Sequence, residues 1–130
     1  MPITLNGFLP DENEKLMEWL RTNRNGFPYW ENRAVFNMYP YYGMLDLMDA
    51  KERHGNDCTY FMKVENQKSA DYASGIFLYK LADEVVIYLL PISYKSGINI
   101  TGRIQLGQWV LHESKTFRNN VCRLIYRFKK

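Results

Sequence analysis

An α+β fold is expected, with N-terminal helices packed on one face of a mostly antiparallel meander sheet of four to six strands. Three features point there. Apolar residues before Gly55 recur at helical spacing. Those after Asp57 alternate or run on continuously, as in strands. The turns between the later runs look too short for crossover connections. The 130 residues are expected to fold as a single domain spanning 1–130. Their 46% hydrophobic and 24% charged content is ordinary for a globular chain that buries a core of its own.

The first helix is announced by Pro10-Asp11-Glu12-Asn13-Glu14, with Asp11 as cap and Glu14 three residues on as in a capping box. Leu16, Met17, Trp19 and Leu20 supply its apolar face, and Asn23 to Gly26 ends it. The next stretch, Phe27 to Tyr42, holds seven of the chain's twenty aromatic residues. Pro28 and Pro40 push it toward extended geometry, so it reads as a loop with one short strand near Ala34 to Phe36. A second helix is expected from about Tyr42 to His54, with Met44, Leu45, Leu47 and Met48 on its buried side and Gly55 as its stop.

Strands are expected from Cys58 to Val64, from Gly75 to Lys80 and from Glu84 to Leu90, with a hairpin turn at Lys80 to Asp83. The last of these runs is continuously apolar, as in a central strand covered on both faces. Ser93 to Gly97 turns the chain. Ile98 to Leu111 reads as one or two further strands, with Gly102 and Gly107 at bends. Residues 116–128 fit a strand after a turn at Asn119-Asn120, and a helix is the alternative.

Several classes of chemistry find no footing. Gly-Arg-Ile-Gln-Leu-Gly at 102–107 lacks the ending of a phosphate-binding loop, and no Gly-x-Ser-x-Gly is present. Cys58 and Cys122 have no metal-like spacing, nor have His54 and His112, so neither a metal site nor a cofactor is expected. No stretch is long and apolar enough for a membrane span, and the N-terminus does not resemble a signal peptide. A cytoplasmic protein that does not engage membranes is expected.

Two constellations could still act on nucleic acid. His112-Glu113-Ser114-Lys115 places a carboxylate two residues before a lysine, the pairing of metal-dependent nucleases, with Asp83 or Glu84 as the upstream acid. Alternatively His112 serves as a base beside arginines. Such spacing arises easily by chance in a chain with nine lysines and fourteen acids, and a solvated turn after a strand is the plainer account. The C-terminal segment from Lys115 to Lys130 carries six basic residues and no acid. If it is a strand, Arg123, Arg127 and Lys129 share one face, and with Arg118 and Lys130 they could hold a single strand of nucleic acid. An edge strand guarded by charge is the plainer account.

The aromatic stretch raises a similar choice. Tyr29, Trp30, Tyr39, Tyr41 and Tyr42 either lid the core or present a contact surface. The absence of a specific catalytic motif favours a small non-enzymatic binding or regulatory module. Its partner is expected to be a protein, with nucleic acid the alternative partner and a small nuclease the alternative function.

Overall fold

Residues 1–103 and 108–129 are described by a computed structural model. The fold is α+β. In chain order the elements are strand β1 (Pro2–Thr4), helices α1 (Lys15–Thr22) and α2 (Phe27–Glu31), strand β2 (Phe36–Asn37), helix α3 (Met44–His54), strand β3 (Tyr60–Phe61), helix α4 (Gln67–Leu78), and strands β4 (Glu84–Leu90), β5 (Trp109–Thr116) and β6 (Cys122–Phe128). They form two compact units. One comprises residues 1–12 and 64–130, the other 13–63.

The larger unit holds a four-stranded sheet of order β1-β4-β6-β5. This sheet is mixed and is not a meander. β1 runs parallel to β4, in the register Pro2 to Tyr88 and Thr4 to Leu90. A parallel pair needs a long connection, and the whole helical region lies between these two strands. The long stretch from Pro91 to Gln108 then carries the chain past one strand position. As a result β5 lies at the edge, and β6 returns between β4 and β5, antiparallel to both. Tyr88, Leu90, Val121, Ile125 and Ile100 are buried here, along with the whole of β1.

The expected strand at Gly75 to Lys80 is the end of helix α4. Its aromatic content suggested a strand, but a cap upstream decides otherwise. Asn66 Oδ1 accepts from the Ser69 N–H at 2.9 Å, and Ser69 Oγ accepts from the Asn66 N–H at 3.0 Å. This reciprocal box starts a helix whose small residues Ser69, Ala70 and Ala73 are buried. Lys80 to Asp83 is therefore a helix-to-strand turn. The Leu81 N–H bonds the Ile76 carbonyl and the Lys80 N–H bonds that of Phe77, a Schellman stop that puts Lys80 at a φ of 55°.

In the smaller unit, Met17, Leu20, Phe27, Met38, Leu47 and Ala50 are buried. α1 begins later than its start signal suggested. Glu14 takes the cap position in extended backbone with no side-chain cap bond, so the expected box at Asp11 does not form. The stretch from Phe27 to Tyr42 contains a short helix, α2, and β2 pairs in parallel with β3. Of the expected strand at Cys58 to Val64, only Tyr60–Phe61 is a strand. α3 ends at Gly55, with a φ of 55°, as its sequence predicts. Leu45 does not join its buried side and is 80% exposed.

Residues 98–103 contain no strand, only a bridge from Asn99 to Phe8. The bend expected at Gly107 lies outside the described residues. The C-terminal segment is a strand, β6. The turn before it puts Asn120 at a φ of 68°, a conformation asparagine tolerates.

Candidate functional site

Two chains of contacts carry the residues singled out by sequence, one in each unit. In the smaller unit the aromatic stretch divides. Phe27 and Met38 are buried, whereas Val35, Phe36, Tyr39 and Tyr41 are exposed. Tyr41 reaches 76% exposure, more than any other aromatic side chain among the exposed apolar residues. The cause is the short β2–β3 ladder. Val35 and Phe36 donate to the Thr59 carbonyl, and Met38 donates to that of Phe61. These bonds fix the backbone with Met38 turned inward and its neighbours outward.

Ring contacts organise the exposed part. Phe36 lies 5.6 Å from Tyr42 and 6.0 Å from Tyr60, and Tyr39 and Tyr41 are stacked within 4° of parallel at 5.6 Å. Tyr29 and Trp30 are half-buried and meet edge to face at 4.9 Å. The Arg33 guanidinium lies 3.5 Å from the centre of the Tyr29 ring. So Tyr29 and Trp30 are tied into local packing, Tyr39 and Tyr41 stand in solvent, and Tyr42 is half-buried between these extremes. Val35 and Leu45 are exposed as well, at 69% and 80%, and the sequence pattern signals neither. The spacing of Leu45 predicts the buried side of α3, but its side chain is exposed.

In the larger unit, cross-strand pairing aligns Lys115, Arg123 and Tyr88 in one row. Glu113 pairs with Ile125 one step along, on the same face of the sheet. Arg123 is 4% exposed. Its Nη2 donates to Glu113 Oε1 at 3.0 Å, and its guanidinium lies 5.8 Å from the centre of the Phe117 ring. Arg127 Nε donates to Glu84 Oε2 at 3.1 Å. Two arginines of the basic face expected on this strand are thus paired with carboxylates from both neighbours, and Arg123 is buried. Arg118 is exposed in the β5–β6 turn, and Lys129 is exposed beyond β6. Lys130 lies outside the described residues.

Glu113 and Lys115 share a sheet face, but Asp83 does not join them. The Asp83 carbonyl accepts from the Phe128 N–H, at the opposite end of β6 from Arg123 and Lys115. Asp83 precedes Tyr88 by five residues, so the two ends stand roughly 16 Å apart along the strand. His112 is exposed at a register shift in β5. Among the described residues no three His, Cys, Asp or Glu side chains gather as a metal site. No described helix is long and apolar enough to cross a membrane.

No family model matches the chain, and no curated protein does. Its fold resembles a crystal structure from Shewanella sp. PV-4 bearing the name "Putative riboflavin biosynthesis protein", with a TM-score of 0.69 over 100% of this chain and 97% of that one. The two sequences are 16% identical, so the likeness is one of fold alone.

Proposed function

We propose that the chain is a binding module that engages a protein partner through the surface formed by Val35, Phe36, Tyr39, Tyr41 and Leu45. The observation that carries this is exposure. Five large apolar or aromatic side chains between Val35 and Leu45 are exposed by 40 to 80%. Single exposed apolar residues are ordinary, but a run of them within one short segment marks an interaction surface. Tyrosine suits such a surface, because it offers a large rigid contact area with only two side-chain torsions to fix. The backbone beneath is held by the β2–β3 bonds, so little ordering would remain to be done on binding. A cytoplasmic setting fits the two free thiols, Cys58 and Cys122.

The experiment is crosslinking or pull-down from cell extract with wild type and with the Tyr39→Ala, Tyr41→Ala double variant. Both side chains are exposed, so the variant should keep the wild-type circular dichroism and melting temperature. The binding surface predicts that specific partners are lost from the variant. Unchanged recovery with the fold intact would remove this surface from the account.

A further inference from the structure

β5 is the outermost strand of the large sheet, and seven of its eight residues are exposed. The direction of its free backbone groups follows from the turn. Phe117 donates its N–H to the Val121 carbonyl at 2.9 Å. Alternation along an antiparallel ladder then turns the N–H and C=O of Lys115 toward β6, and those of Ser114 and Thr116 toward the open edge. Glu113 and Lys115 flank Ser114 on one face. Glu113 Oε1 accepts from Arg123, and Lys115 makes no ion pair among the described residues.

We propose that this edge pairs with a second copy of the chain. The two β5 strands would run antiparallel about a two-fold axis at Ser114 and join two four-stranded sheets into one. Charge selects this register. Pairing about Glu113 would set Glu113 against its own counterpart, and pairing about Lys115 would do the same with two lysines. Pairing about Ser114 sets Glu113 of each copy opposite Lys115 of the other, giving two opposite-charge pairs at once. Ser114 and its counterpart would exchange two backbone hydrogen bonds. The charged pairs would fall at the non-hydrogen-bonded positions, where facing side chains come closest.

A lysine on an edge strand normally discourages pairing. Here Glu113, two residues away, cancels it in this one register only. The shift at His112 and the turn after Thr116 keep the ladder short, and two-fold pairing uses the same edge of both copies, so this contact closes at a dimer. A contact this short buries little area, so the dimer is expected to be weak and concentration-dependent.

The test is sedimentation velocity of the full chain from low-micromolar to near-millimolar concentration. Wild type should shift toward dimer as concentration rises. Lys115→Glu puts two carboxylates face to face between copies and should weaken association about tenfold or more. Within one chain the new carboxylate would sit beside Arg123, so the fold is retained. Ser114→Pro removes an N–H that faces the open edge and not β6, and should likewise leave a folded monomer. Wild type that stays monomeric throughout overturns the proposal. So does a dimer that Lys115→Glu leaves unchanged, since that dimer would use another surface.

Discussion

Arg123 Nη2 reaches Glu113 Oε1 at 3.0 Å from the adjacent strand, and the arginine is 4% exposed while the glutamate side chain is 48% exposed. The two ends of this ion pair therefore lie in different surroundings. Removing the arginine loses a packed stem and a charge-assisted bond, but strands no charge in the interior.

Arg123→Gln is accordingly expected to cost about 2 kcal/mol, below the full penalty of opening a buried pair. Arg127→Gln breaks a pair whose partners are both at least a third exposed, and should cost less than about 0.5 kcal/mol. Urea denaturation of the two variants checks the contrast. Titration with a single-stranded oligonucleotide adds a second check. Arg123→Gln should leave any salt dependence as it was, whereas a slope flattened by about 0.7 would place Arg123 at a phosphate.

Lys80 occupies the left-handed position of the stop that ends α4, where glycine is the usual residue. Its side chain is exposed. Lys80→Gly relieves the steric cost of a positive φ and is expected to stabilise by about 1 kcal/mol. Thermal melting should move upward by about 4 °C.

Gly26 is required for a different reason. A Cβ there would lie 2.2 Å from the Leu20 carbonyl oxygen, which is backbone and cannot swing aside. Gly26→Ala is expected to destabilise by about 3 kcal/mol. Gly55→Ala meets no atom within 4 Å and strains only its own backbone, at φ 55° and ψ −128°. It should cost about 2 kcal/mol. Equal losses in the two variants would remove the steric explanation.

Stability should also depend on pH through the amino group of Met1. This amine donates to the Val86 carbonyl at 2.7 Å, and burial lowers its pKa from 8.0 to about 5. The unfolded chain therefore binds the extra proton between these values and the folded chain does not. The contribution to stability is complete above pH 8 and is lost as pH falls to 5, on the order of 4 kcal/mol across the window. Denaturation midpoints at pH 5.5 and pH 8 should differ in that direction. Acetylating the amine should abolish this component.

Much of the fold was legible where one signal dominated. The unbroken apolar run of β4, the Asn119-Asn120 turn before β6 and the glycine after α3 each acted through local chemistry. β1 was not legible, because Pro2–Thr4 is three residues long and is a strand only through its pairing with β4. α4 was misread because Ile76, Phe77 and Tyr79 favour strands, whereas the deciding cap lies ten residues earlier at Asn66. In the candidate site, spacing could not reveal that Leu45 points to solvent. Nor could charge alone show that Glu113 and Glu84 would meet the arginines of β6.

The register shift at His112 has a consequence for chain length. Trp109 and Lys115 are an even number of residues apart, and simple alternation would put them on one face. Trp109 instead pairs with Phe128, its ring 5.4 Å away, while Lys115 pairs with Arg123, on opposite faces of β6. The extra residue resets the phase of the strand. Deleting His112 would close the ladder without changing another pairing. Deleting Ser114 would also straighten it, but only by turning Glu113 away from Arg123. Natural or engineered length variation in this strand should therefore be tolerated at one position and penalised at its neighbours.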